Sequence, residues 1–148
     1  MATNPRVPQG VLNRIRGSIV IPAFPALNII AANLSRAGIS LSFQGDATQY
    51  LPTLTGAVRS PEVYMVGMLR IGLLRTQPLG AAYKAKLESD TYLADLTVVP
   101  DAAGFPDTLL NNCSISGVNE MGFAGEDASY GITVTGYYDI NSDLWNLI

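Results

Sequence analysis

The stretch from Ser35 to Arg75 constrains the fold more than any other part of the chain. Gly38-Ile39-Ser40-Leu41-Ser42-Phe43-Gln44 alternates small or polar residues with large apolar ones without a break. A period of two puts Ile39, Leu41 and Phe43 on one side of an extended chain and Ser40, Ser42 and Gln44 on the other, as in a strand with one buried and one wet face. A second strand pattern, from Glu62 to Leu74, carries Val63, Val66, Leu69, Ile71 and Leu73. Gly67 breaks it where a β-former is expected, which marks a bulge or a close backbone approach. Between the two patterns, residues 46–61 contain Pro52, Gly56 and Pro61 with several Thr and Ser, and read as an extended inter-strand loop or irregular hairpin tip. Hairpin connections usually take ~2–5 residues, and far longer ones in compact domains are functional or disordered. Tyr50, Leu51 and Leu54 give this one apolar side chains to bury.

The flanking sequence reads as more sheet and one helix. Residues 1–10 are a Pro-rich arm, and Val11 to Ile21 has the composition of a strand pair or a kinked strand. The most apolar window, Ile19 to Leu34, is interrupted by Pro22, Pro25, Asn28 and Asn33. It falls short of the ~20 apolar residues of a membrane-spanning helix and reads as buried sheet with a turn at Pro22 to Pro25. Within it, Leu27 to Ala32 is ambiguous between strand and helix. A helix is expected over 78–89, with Pro78 at the first position, where a missing N–H costs nothing. Leu79, Ala82, Tyr83 and Leu87 form its apolar stripe, and Lys84, Lys86 and Glu88 take the other side. Strands follow at Tyr92 to Val99, Leu109 to Met121 and Tyr130 to Ile140, separated by turn-rich segments at Pro100 to Asp107 and Gly122 to Ser129. In the last strand Ile132 and Val134 point away from Thr133 and Thr135. Residues 141–148 form a tail with Trp145. About seven strands and one helix predict a single mainly β domain over residues 1–148, a β-sandwich or barrel with a helix packed on it.

Composition narrows the chemistry. Charged residues make up 14% of the chain, against ~25% in an average domain. Nine Lys and Arg against twelve Asp and Glu leave a net charge of −3, which argues against a general nucleic-acid binder. Interface cores are depleted in charge, so a low-charge surface suits a chain covered by copies of itself. There is no histidine, which removes Ser-His-Asp and Cys-His catalysis and the common zinc sites. No phosphate-cradling motif is present, and no metal or cofactor is expected. Cys113 is the lone cysteine, so no intramolecular disulfide forms; a buried inert thiol in a reducing compartment is expected. The start of the chain lacks the layout of a signal peptide. The close acid pairs Glu88 and Asp90, and Glu126 and Asp127, lie in turn-like contexts and read as solvated turn residues. Tyr137-Tyr138 with Trp145 suggest a stacking platform, and hence a rival reading as a carbohydrate-binding β-sandwich module.

Several runs in order then carry a family resemblance. They are Leu41-Ser42-Phe43-Gln44-Gly45-Asp46-Ala47-Thr48-Gln49, Thr53-Leu54-Thr55-Gly56 and Ser60-Pro61-Glu62. Downstream come Leu74-Arg75-Thr76-Gln77, Ala81-Ala82-Tyr83-Lys84-Ala85, Val98-Val99-Pro100-Asp101, Asn112-Cys113, Gly136-Tyr137-Tyr138 and Ile140-Asn141-Ser142-Asp143-Leu144-Trp145. Along nearly its whole length the chain resembles the tail tube proteins of contractile-tailed bacteriophages.

The resemblance implies a non-enzymatic virion protein, assembled in the host cytoplasm, that closes into hexameric rings with a continuous inner β-barrel. Rings would stack through the extended loop, making Asp46, Tyr50, Leu51 and Leu54 candidates for the inter-ring contact. The implied partners are further copies of the chain, a tail sheath, baseplate proteins and a tail terminator. DNA would pass through the lumen without specific binding. A conduit for DNA must not hold phosphates, so a neutral or acidic lining is expected. Six copies at −3 give −18 per ring. The small polar faces, Ser40, Ser42, Gln44, Thr133 and Thr135, are the lumen candidates, followed by Ser114, Ser116 and Glu120; Ile39, Leu41, Phe43, Ile132 and Val134 would face the core. The tube of a phage-derived contractile injection device fits the same residues.

Overall fold

A computed structural model describes residues 6–147, excluding the side chains of Glu120 and residues 145–147. The expectations placed on residues 1–5 of the arm and on the Glu120 and Trp145 side chains therefore lie outside the described residues. The chain is mainly β, with one α-helix among the described residues. Six strands, β1 (Ser18–Val20), β2 (Leu34–Gln44), β5 (Tyr64–Leu74), β6 (Tyr92–Val99), β7 (Thr108–Met121) and β8 (Ser129–Asp139), form one antiparallel sheet in the order β1-β6-β7-β8-β5-β2. The sheet curls into a half-barrel. Among the described residues the two other strands, β3 (Thr48–Pro52) and β4 (Ala57–Pro61), pair only with each other.

The sheet is organised by β5 and β8, which pair in unbroken register from Tyr64↔Asp139 to Leu74↔Ser129. Alternation along these strands puts Leu69, Ile71, Leu73, Ile132 and Val134 on one face, where all are buried. Register then places Leu41 beside Leu69 and Ile39 beside Ile71, on the same face. Strand β7 contributes Leu110 and Ile115, and β6 contributes Leu93 and Leu96. Register shifts along β6 and β7 mark bulges, which bend a strand and increase its twist, and so help the sheet to curl.

Helix α1 (Pro78–Ser89) covers this apolar face. Leu79 and Tyr83 are buried, with Ala82 and Leu87 packed partly against the core, so the expected stripe is the one that docks. The Tyr83 hydroxyl donates to the Leu27 carbonyl at 2.7 Å, tying the helix to the segment that follows β1. The Lys86 ammonium lies 3.8 Å from the centre of the Phe24 ring, a cation–π contact at the helix edge.

Two expectations change. Val11 to Ile21 holds only the three-residue β1; Val11, Leu12 and Ile15 are exposed, in irregular chain. Ile29 pairs with Ile19 between short 3-10 turns at Pro25–Leu27 and Ala31–Asn33, which resolves the ambiguity over Leu27 to Ala32. Of the two readings of residues 46–61, extended loop or irregular hairpin tip, the structure has the hairpin, and a regular one, with five registered pairs from Thr48↔Pro61 to Pro52↔Ala57. Gly67 marks a close approach and not a bulge. It pairs squarely with Phe43 and Gly136, and a Cβ there would come within 2.9 Å of Leu110 Cδ2.

Candidate assembly surfaces

The polar residues picked out by alternation share one face. Across β2, β5 and β8, Ser40 aligns with Arg70 and Thr133, Ser42 with Met68 and Thr135, and Gln44 with Val66 and Tyr137. Ser114 of β7 pairs with Thr135 and extends the face. Ser40, Ser42 and Gln44 are exposed, and Thr135 is half-buried. Thr133 differs: it is 8% exposed, its hydroxyl bonded to the Asn119 carboxamide oxygen, so it lies on this side of the sheet but under cover. Ser116 falls between the registered residues Ile115 and Gly117, and its hydroxyl bonds the Thr133 carbonyl at 3.1 Å. Arg70 is exposed on the same face, a residue the alternation argument passed over because its neighbours in sequence are apolar. Asp139 at the end of β8 accepts from the Asn111 carboxamide at 3.1 Å.

The hairpin is the second surface. It leaves the sheet after Gln44 through Gly45, whose φ of +87° favours glycine. Leu51 pairs with Val58, and Tyr50 with Arg59, on opposite sides of a two-stranded ribbon. Tyr50 is 67% exposed, and Leu54 at the tip is fully exposed. Asp46 is exposed at the root, where the Glu62 amide donates to the Ala47 carbonyl at 2.9 Å. A lone two-stranded hairpin is marginal in water. This one carries apolar side chains on both faces and packs neither face on the sheet.

The two sheet margins differ. At one, β1 is short, and Ile19 is paired on both sides, with Val98 and Ile29. At the other, β2 is eleven residues long and pairs only with β5, so among the described residues its outer N–H and C=O groups have no strand partner. Between the margins opens a cleft of about 830 Å³, lined by Arg14 to Gly17, most of β2 from Leu34 to Leu41, and Val98 to Asp101 with Phe105 and Thr108. These segments are far apart in sequence, so no local pattern announced the cleft.

The remaining candidates resolve simply. Cys113 is fully buried, and burial, with Asp95 nearby, pushes its thiol up to about 12. The Asp90 carboxylate accepts from the Tyr92 amide, and that of Asp127 from the Ser129 amide, as turn acids do; Glu88 pairs with Lys84 at 3.8 Å on the helix surface. Tyr137 and Tyr138 point to opposite faces of β8: Tyr138 packs on Phe43 at 5.1 Å between ring centres, and Tyr137 meets Tyr64 edge-on at 6.0 Å. They do not form one platform. No described helix is long and apolar enough to cross a membrane. No family model matches the chain, and no curated protein matches it.

Proposed function

We propose that the chain is a structural subunit that polymerises, as stacked hexameric rings, into the inner tube of a contractile bacteriophage tail. The observation that carries this reading is the β3–β4 hairpin, an arm with Tyr50, Leu51, Leu54 and Val58 exposed. Such an arm is stable when a neighbour covers it, and a second copy of the chain is the neighbour that yields a filament. The open edge of β2 supports lateral pairing, since edge strands left bare invite another chain. The polar face supports a conduit lining. Ser40, Ser42, Gln44, Ser114 and Thr135 lie on it beside Val66, Met68 and Tyr137, and Arg70 is the one cation in these rows, so it offers little to hold a phosphate backbone. Function in this reading is mechanical and needs no catalytic group or cofactor. The sheath, baseplate and terminator are the outer and end partners, and the virion tail is the location.

The test is electron microscopy of the purified chain at increasing concentration, with solution mass alongside. Hollow six-fold tubes are expected. Replacing Thr48–Pro61 by a short turn should leave cooperative thermal unfolding of the main sheet in place and abolish tubes. Tubes of ordinary length from that variant would refute the role given to the hairpin. A chain that stays monomeric at every concentration and saturably binds a sugar would refute the whole reading in favour of a carbohydrate-binding module.

A further inference from the structure

We infer that the cleft between the sheet margins is the receptor for the hairpin tip of a second copy of this chain. The inference rests on the tube reading insofar as a second copy is the occupant. Three observations carry it. The first is position. The cleft borders β2 from Leu34 to Leu41, and the hairpin departs from the same strand after Gln44, so donor and receptor are different surfaces of one chain. A hairpin seated in a neighbour's cleft is a heterologous contact, which repeats head to tail unless its rotation closes a ring. The second is chemistry. Leu34, Ile39, Leu41 and Val98 are half-buried in the cleft wall, and Ile15 and Phe105 are exposed at it. Ile15 and Phe105 are apolar groups left without cover, as are Leu51, Leu54 and Val58 on the hairpin. The third is charge. Arg14, Arg16 and Arg36 against Asp101 give the cleft +2; Asp46 and Glu62 against Arg59 give the hairpin and its root −1. Opposite signs favour encounter in this register over hairpin against hairpin or cleft against cleft.

The test uses disulfide trapping in the full chain, whose own Cys113 is buried. Ile15→Cys places a thiol at the cleft and Leu54→Cys one at the hairpin tip, both at exposed positions where folding is not at stake. Mixed and mildly oxidised, the two variants should form a covalent dimer about tenfold faster than either alone, because docking raises the effective concentration of the two thiols. The double variant should give a ladder of linear multimers on a denaturing gel. Adding Arg36→Glu to the Ile15→Cys chain should slow trapping about threefold, the scale of one exposed charge pair. Phe123→Cys, exposed but away from the cleft, should not pair with Leu54→Cys. Wild-type tubes with no trapping between positions 15 and 54 would overturn the receptor assignment and leave the tube reading standing. No trapping from a wild type that never assembles would overturn both.

Discussion

Gly136 tests the packing of the sheet most sharply. It sits mid-strand on β8 opposite Gly67, and a Cβ placed on it would lie 2.5 Å from Cys113 Sγ and 3.0 Å from the Asn111 carbonyl oxygen. Its φ lies outside the left-handed region, so alanine is not opposed by the backbone. Reduced freedom of the unfolded chain would even favour alanine by ~0.4–1 kcal/mol. The overlap works against it. Overpacking a tight core costs ~1–3 kcal/mol, and the upper end applies because one obstacle is backbone and the other is fully buried. Gly136→Ala should therefore destabilise by about 2 kcal/mol, or ~4–8 °C in Tm for a chain of this length. Cys113→Ala removes one methylene-sized buried group and should cost about 1 kcal/mol. In the double variant the sulfur is gone and only the Asn111 contact remains, so the total should stay near 1–2 kcal/mol, short of the additive ~3. Urea unfolding followed by circular dichroism, at concentrations where the chain is monomeric, gives all three values. Strict additivity would refute the claim that the sulfur closes this gap, and a neutral Gly136→Ala would show that β7 and β8 pack less tightly there.

Other outcomes follow from single contacts. Tyr83→Phe leaves the Leu27 carbonyl unpaired under the helix and should cost ~1–3 kcal/mol in the same assay. Raised thiol and phenol values mean that the folded state holds protons the unfolded state releases, so stability should fall as pH rises. For Cys113 the loss runs from the ordinary value of 9.0 up to about 12, and Cys113→Ala should remove it. Tyr83, which burial also raises, adds a loss that begins near 10.0 and should vanish in Tyr83→Phe. The Arg75 guanidinium donates to the carbonyls of Gly122, Ala124 and Asp127, so Arg75→Ala should expose residues 122–128 to limited proteolysis and cost about 2 kcal/mol.

Sequence periodicity was informative wherever one face of an element is buried. The helix and strands β5, β6 and β8 fall within a residue or two of their expected spans, and the parity of Ser40 and Thr133 placed them on one side of the sheet. Strands β3 and β4 escaped because neither face is buried, and because Pro52, Pro61 and Gly56 are turn residues as well as strand ends. The apolar residues between Val11 and Ile15 misled for the opposite reason: they suggest a core strand and lie exposed. Alternation also could not show that Asn119 covers Thr133, which depends on a bulge in β7. The cleft was illegible because its walls come from segments that only the curl of the sheet brings together.

The bare margin of β2 has a consequence for the life of the free subunit. Eleven residues of open edge, with Arg36 as their only charge, present little deterrent to a second extended chain. Unwanted pairing of two such edges is second order in chain concentration, whereas in the proposed tube addition to an existing end depends on the number of ends. Under that reading, a cell that accumulated this protein faster than it supplied growing ends would lose it to aggregates. Supply and nucleation would then have to be matched in time, and the yield of assembled protein on overexpression should fall as expression rate climbs.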